Sequence, residues 1–315
     1  MAPHDTYGHD LGLFIGDRLP FILGTNIAGT VTSVPPSSPI NIGDVVFGLG
    51  SPAHQTPDMS GLQQYALLDA ESTAKIPDGF TADEMVTFPV NATTSFTALF
   101  DAKGFGFPAP PPFPQPKIGV QGISVKNTTI LVIGGGSAVG KFAIQLAKLA
   151  GIGTIISIAS SSRTAELKEL GATHVVDRHA TPEVIRSNIK EITGGEGVRY
   201  IYDCVSWDYD LPISLLPEKE KGVFLTLHPA EQAEELAKKL RPQARVQFIL
   251  GNAAFMQPHT KAFWEALPVW VQNGDLNVRK VKVVEGLKLE AIEEALASYR
   301  DGSAVVPVVV HPNFS

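Results

Sequence analysis

The sequence has a single cysteine, Cys204, in 315 residues. One thiol excludes an intrachain disulfide and any zinc site built from several cysteines. No apolar run is long enough to cross a bilayer, and the N-terminal MAPHDTYGHD lacks the charged-then-apolar pattern of a signal peptide. A cytoplasmic protein with no membrane role is the expectation. Basic residues are in the minority, 25 Lys and Arg against 32 Asp and Glu, for a net charge of -7. A nucleic-acid surface draws its affinity from Lys and Arg neutralising phosphates, so this balance argues against one. The eight histidines show no metal-ligand spacing such as H-E-x-x-H, and no metal is expected. No internal repeat is visible.

What is present is an ordinary globular composition, 44% hydrophobic and 18% charged, in a chain long enough for two domains. The first hundred residues are rich in short strand and turn signals. Pro20–Val34 mixes β-branched residues with glycines, and Asp44–Gly50 and Leu62–Asp69 read as further strands of a small barrel. Helices are expected from about Thr81 and over Asn91–Ala102. Gly104–Gly119 is dense in proline, which excludes helix interiors and central strands and leaves a loop or spacer. From Thr129 the texture changes. Strands at Thr129–Gly134, Thr154–Ser160, Thr173–Asp177, Tyr200–Val205, Gly222–Leu227 and Arg245–Leu250 are separated at first by helical segments, Lys141–Gly151, Ser162–Gly171 and Pro182–Gly194. Near-continuous apolar strands in such alternation predict an α/β fold with a doubly wound parallel sheet. An amphipathic helix over Leu289–Gly302 and a last strand, AVVPVVVHP, close the chain.

The segment VIGGGSAVGKFAIQLAK, Val132–Lys148, puts a glycine-rich turn between the first of these strands and its helix. Backbone amides and the positive helix end then converge on one point, which suits a pyrophosphate. The G-x-G-x-x-G spacing is imperfect. With Gly135 first and Gly140 last, Ser137 takes the middle place, where its amide and hydroxyl can still serve a phosphate. Gly140 would permit close helix–strand packing. Dinucleotide binding is the expectation because strand, turn and helix follow in order. An NAD site wants a carboxylate at the end of the second strand. Here that strand runs into Ser160-Ser161-Ser162-Arg163, with Arg178 just past the third strand. Hydroxyls and guanidinium groups suit the 2′-phosphate of NADPH.

Taken in order, DTYGHDLGLF, LPFILGTNIAGTV, GDVVFG, FPVNATTSFTALF, the glycine turn, LKELGATHVVD and YDCV resemble the medium-chain dehydrogenase/reductase superfamily, in its zinc-free quinone oxidoreductase and enoyl reductase branch. Asn26 stands where Asp is usual, and the long proline-rich stretch resembles fungal members. The resemblance covers nearly the whole chain. It implies a Rossmann domain over 91–255, with the proline-rich loop 104–119, and a GroES-like partial β-barrel for substrate over 1–90 and 256–315. It further implies that Gly135, Gly136, Ser137, Ala138 and Val139 touch the pyrophosphate, with Ser160, Arg163 and Arg178 at the adenosine end. Cys204, Leu227, Leu250 and Gly251 would line the nicotinamide, with Thr94 beside its ribose. Tyr7, in the Asp-Thr-Tyr segment, is the candidate polar contact or proton donor near the substrate. Superfamily members usually carry further residues before this segment, so a barrel short of its N-terminal strands is expected.

Without a metal to polarise a carbonyl, reduction of an activated C=C bond is the easier chemistry, because protein donors need only stabilise an enolate. No Tyr-x-x-x-Lys pair is present to support the short-chain dehydrogenase solution. The expected activity is NADPH-dependent, zinc-independent reduction of an enone, a quinone or an enoyl thioester. The substrate would be a small molecule or a carrier-bound enoyl group, in the manner of a trans-acting enoyl reductase or a tailoring enzyme of fungal secondary metabolism, with a polyketide synthase partner and a homodimer in view. A zinc-free alcohol or ketone dehydrogenase and a non-catalytic NADPH-binding relative are the alternatives.

Overall fold

The computed structural model describes residues 1–13, 15–50, 56–113, 124–252, 256, 259–277, 280–301 and 306–312. Phe14, His54, residues 114–119 of the proline-rich stretch and residues 304–305 of the last expected strand lie outside the described residues. The elements run in the order α1 (Pro3–Leu11), β1 (Asn26–Thr30), β2 (Val45–Leu49), β3 (Thr73–Lys75), α2 (Ala82–Met85), α3 (Pro89–Phe100), β4 (Thr129–Ile133), α4 (Ala138–Leu149), β5 (Thr154–Ala159), α5 (Thr164–Leu170) and β6 (His174–Asp177). They continue with α6 (Pro182–Thr193), β7 (Tyr200–Asp203), α7 (Asp210–Ser214), β8 (Val223–Thr226), α8 (Glu231–Leu240), β9 (Arg245–Phe248), α9 (Thr260–Gln272), β10 (Lys282–Glu285), α10 (Leu289–Arg300) and β11 (Val308–His311). The chain divides into two compact units, Met1–Thr93 with Asn252–Ser315, and Thr94–Gly251. Among the described residues no helix is long and apolar enough to cross a membrane.

In the first unit β1, β2 and β3 form an antiparallel sheet, with Ile27 opposite Gly48 and Val46 opposite Lys75. β10 and β11 pair in parallel. α9 packs on β3, and Phe47 meets Trp264 with ring centroids 5.9 Å apart. Thr81 closes a capping box on α2: its amide donates to Glu84 Oε2 at 2.8 Å, and its Oγ1 accepts from the Glu84 amide at 3.3 Å. Such a cap stabilises a helix start by about 1 kcal/mol.

Two strand expectations fail here. Leu62–Asp69 is not a strand, and Pro20–Thr25 is irregular before β1 begins at Asn26. Gly61 N–H bonds Gly24 O at 2.6 Å and Leu62 N–H bonds Leu23 O at 3.0 Å, and among the described residues this pairing does not continue into a ladder. An alternating pattern without a continuing ladder does not make a strand. The DTYGHDL segment is a helix. Pro3 sits at its first turn, Asp5 accepts from the Ala2 amide at 2.7 Å, and Gly12 ends it at φ +66°. That is the favoured placing of proline at the start and glycine past the end.

The second unit is built on a parallel sheet in the order β6-β5-β4-β7-β8-β9. Leu131, Ile156, Ile201 and Phe224 are fully buried, and Ile185, Ile189, Ile213 and Ala233 from flanking helices complete their cluster. Each large apolar side chain so buried contributes about 1.5–3 kcal/mol. The register places Ile133 beside both Ile158 and Asp203, Ala159 beside Asp177, and Asp203 beside Thr226. Strand order reverses between β4 and β7. In open α/β sheets, ligands bind outside the carboxyl ends of the strands at such a reversal.

Candidate functional site

The turn after β4 lies at that reversal. The amides of Gly134 and Gly135 both point at the Ile158 carbonyl, at 2.9 and 3.4 Å, which draws the turn over the end of β5. Gly134 has φ +78°, a conformation that favours glycine. A Cβ on Gly135 would overlap the Ser157 side chain, and one on Gly140 would overlap the Gly134 carbonyl and stand 2.7 Å from Gly135 Cα. The absence of these two side chains lets α4 start directly against the strand end. Ser137 is the N-cap of α4, its Oγ accepting from the Gly140 amide at 3.0 Å. Its own amide donates to Gly134 O at 2.8 Å. The Ser137 amide thus has an acceptor within the turn, while its hydroxyl, accepting as a cap, keeps its own hydrogen to donate. The first amides of α4, on Ala138 and Val139, have no intrahelical acceptor and stand at the positive end of the helix. Ser95 anchors this start from α3, its hydroxyl donating to Val139 O at 2.9 Å.

Beside the turn, Ser160 and Ser162 share a hydroxyl contact at 2.9 Å. Arg163 lies across the turn, so that a Cβ on Gly136 would come within 3.1 Å of Arg163 Cδ. Its NH1 donates to Glu166 Oε2 at 3.1 Å, and the other oxygen of Glu166 accepts from Lys141 Nζ. Lys141 is buried in the first turn of α4. Partial burial opposes ionisation of Glu166, but the bonds and charges of Lys141 and Arg163 outweigh it and hold the carboxyl below its ordinary value. Arg178 is exposed at the end of β6, its amide on Ala159 O at 2.9 Å.

Three residues here escape sequence reading. Lys141 and Glu166 meet only because α4 and α5 pack together. Asp177 comes from β6 to the end of β5, where its carboxyl is held low by the His179 amide at 3.1 Å and by Ser161. The second strand ends without an acid of its own, as the sequence shows, yet its neighbour supplies one.

On the β7 side, the Cys204 amide donates to Ile133 O at 3.0 Å. Burial first, and then the charge of Asp203, push the Cys204 thiol well up, which disfavours the nucleophilic thiolate. Asp203 is fully buried. Its Oδ1 accepts from the Val205 and Ser206 amides at 3.1 and 2.9 Å, fixing the loop after β7, and burial raises its pKa. Val205 fills the space a Cβ on Gly134 would need. His228, after β8, faces the Ser206 carbonyl through Nδ1 at 2.8 Å. A carbonyl only accepts, so Nδ1 carries the proton. Burial lowers the pKa of His228, and the largely exposed Trp207 stacks on it with centroids 3.9 Å apart. Leu227 and Leu250 are half-buried just past β8 and β9. Thr94 on α3 and Gly251 are neighbours, since a Cβ on Gly251 would overlap Thr94 Oγ1. Tyr7 belongs to the first unit, half-buried on α1, where burial raises its pKa and keeps the phenol protonated.

A family model described as zinc-binding dehydrogenase matches residues 138–248. The chain is similar to a zinc-type alcohol dehydrogenase-like protein of Staphylococcus aureus (strain MSSA476), 26% identical over 310 residues, 93% of this chain and 83% of that protein. It is also similar to a trans-enoyl reductase of Aspergillus japonicus, 29% identical over 190 residues, 59% of this chain and 50% of that protein. Its fold matches a quinone oxidoreductase from Pseudomonas syringae pv. Tomato DC3000 with TM-score 0.75 at 20% identity, covering 98% of this chain and 87% of that one. A mycobacterial protein solved in complex with NADPH matches with TM-score 0.70 at 20% identity, over 98% and 88% of the two chains. The zinc in the family's description finds no fitting ligands: among the described residues no three His, Cys, Asp or Glu side chains converge in a way that could hold a metal ion. The pyrophosphate of a nicotinamide dinucleotide suits this place, because the close packing that Gly135 and Gly140 permit sets the N-terminal amides of α4 directly at the strand reversal.

Proposed function

We propose, from the premise that this chain is an oxidoreductase of the medium-chain dehydrogenase/reductase type, that it uses NADPH to reduce activated C=C bonds without zinc. The observation that carries this is the cation pair Lys141 and Arg163 beside a glycine cradle at the strand reversal. Gly135, Gly136, Ser137, Ala138 and Val139 hold the pyrophosphate; Ser160, Arg163 and Arg178 hold the adenosine end. Cys204, Leu227, Leu250 and Gly251 form the wall for the nicotinamide, with Thr94 at its ribose. A reduced nicotinamide held there would supply hydride chemistry toward the β carbon of an enone, a quinone or an enoyl thioester, whose carbonyl would take up the charge. Tyr7, a protonated phenol, is the proton donor or polar contact to the substrate. Residues 91–255 act as the nucleotide domain, and 1–90 with 256–315 as the substrate domain. The small-molecule or carrier-bound enoyl class is supported by the name of the Aspergillus japonicus relative.

The test is a titration of the chain with NADPH and NADH, followed by nicotinamide fluorescence. NADPH is expected to bind more tightly, and Arg163→Ala to remove the preference. NADPH oxidation should then proceed with an enone, a quinone or an enoyl thioester and resist chelators. A second reading, a zinc-free alcohol or ketone dehydrogenase, is favoured by the name of the Staphylococcus aureus relative. Alcohol-dependent reduction of NADP without enone activity would select it. Tight NADPH binding with no turnover of either substrate class would leave a non-catalytic binding protein.

A further inference from the structure

We propose that Glu166 sets the dinucleotide preference of this chain by neutralising the paired cations Lys141 and Arg163 beside the glycine turn. The proposal rests on the NADPH reading above and adds the residue that limits it. The Lys141 side chain is 8% exposed and that of Glu166 43%. A lysine buried that deeply requires a carboxylate partner, so one oxygen of Glu166 is committed to it. The other oxygen takes Arg163 NH1. A guanidinium has five N–H donors in a planar fork, so a single bond to Glu166 leaves donors for a second oxyanion. Arg163 cannot swing far inward, because its Cδ already lies against Gly136. A phosphate gripped by Arg163 therefore stands near a fixed negative charge. The three groups together present one net positive charge where two cations could present two.

This charge acts on one ligand and not on its twin. NADPH carries the 2′-phosphate and NADH does not, while the rest of the two molecules meets the same groups. Asp177 adds a second carboxylate near Ser161 and explains nothing about Lys141, so the variant of choice is at Glu166. Glu166→Gln keeps the shape and one acceptor oxygen while removing the charge. Like-charge repulsion of a dianionic phosphate at this range corresponds to about tenfold in affinity.

The experiment is equilibrium titration of the whole chain with NADPH and NADH, by nicotinamide fluorescence, for wild type, Glu166→Gln and Lys141→Met, with a thermal melt of each. Glu166→Gln is expected to tighten NADPH about tenfold and leave NADH within about twofold. Lys141→Met leaves Glu166 with a single cation, so NADPH should weaken while NADH holds; this variant decides the matter if Glu166→Gln does not fold. Equal changes for both dinucleotides, no change, or weaker NADPH binding by Glu166→Gln overturns the proposal. A wild-type preference for NADH overturns the NADPH reading alone, and the response of the NADPH/NADH ratio to Glu166→Gln still decides the role of Glu166. Binding of neither dinucleotide overturns both.

Discussion

Replacing Gly140 by alanine sets two physical effects against each other. Gly140 lies inside α4, where alanine is the better helix former by about 0.8–1.0 kcal/mol. Propensity alone therefore predicts a more stable protein. The structure reverses the sign. The new methyl would overlap the Gly134 carbonyl oxygen and stand 2.7 Å from Gly135 Cα and 3.0 Å from the Gly134 carbonyl carbon. These are backbone atoms of the turn, and they cannot rotate away as a side chain can. Overpacking of this kind costs about 1–3 kcal/mol, and the clash with main chain belongs at the upper end. After the propensity gain, a net loss of about 1–2 kcal/mol remains. For a unit of this size each kcal/mol lowers Tm by about 2–4 °C. The shifted helix start also moves the Ala138 and Val139 amides, so dinucleotide affinity should fall with stability. Circular-dichroism melts and urea unfolding read the first effect, and nicotinamide fluorescence the second. Gly29→Ala is the control, since no atom lies within 4 Å of its Cβ position. It should match or slightly exceed wild type, as glycine replacement does where the backbone allows. A Gly140→Ala protein as stable as wild type, binding dinucleotide equally well, would refute the close-contact account of the turn.

His311 lies between Asp83, at 2.7 Å, and Glu285, at 3.1 Å, and the bond to Asp83 leads in raising its pKa. A raised pKa gives stability that is full below the ordinary histidine value near 6.5 and is lost as pH rises through the folded value. His311 is 37% exposed, so after solvent screening the contribution is under about 1 kcal/mol. Melts from pH 5.5 to 9 should show a stabilisation that wild type loses on the alkaline side and that His311→Gln never has; parallel curves would remove the pair from the account. Asp203→Ala leaves the Val205 and Ser206 amides without their acceptor and should cost about 1–3 kcal/mol by urea unfolding. Asp203→Asn, which keeps one oxygen and sheds a buried charge, should cost less, and the reverse order would contradict the loop-fixing role of Oδ1.

The second unit was legible because its signals are local and repeated. VIGGGSAVG already contains a strand end, a turn and a helix start, and strands covered on both faces leave continuous apolar runs in any order. Gly140 could be read as a packing glycine from spacing alone. The first unit was harder. Leu62–Asp69 has strand-like residues, but whether they pair depends on distant segments. The helix EQAEELAKKL of α8 is not among the expected elements, although Ala233, Leu236, Ala237 and Leu240 stand at helical spacing and Leu236 packs on the core. At the adenosine end the arginine and serines could be named in advance. Lys141, Glu166 and Asp177 could not, because each acquires its meaning from a neighbour on another element: a helix packing, an ion pair, or a strand register. Asp177 shows the limit well. A test for a carboxylate along the second strand finds none, while the register of the third strand brings one alongside.

Thr94 opens the second unit and Gly251 closes it, and the two touch. A folded segment whose ends meet behaves, for the chain that hosts it, like a short loop. The host bears little closure entropy for an insert of this kind, because the insert's own fold holds the two exits together. The segment from 94 to 251 thus enters and leaves at a single point, and because α3 (Pro89–Phe100) runs through that point, removing the segment would cut a helix and not a loop.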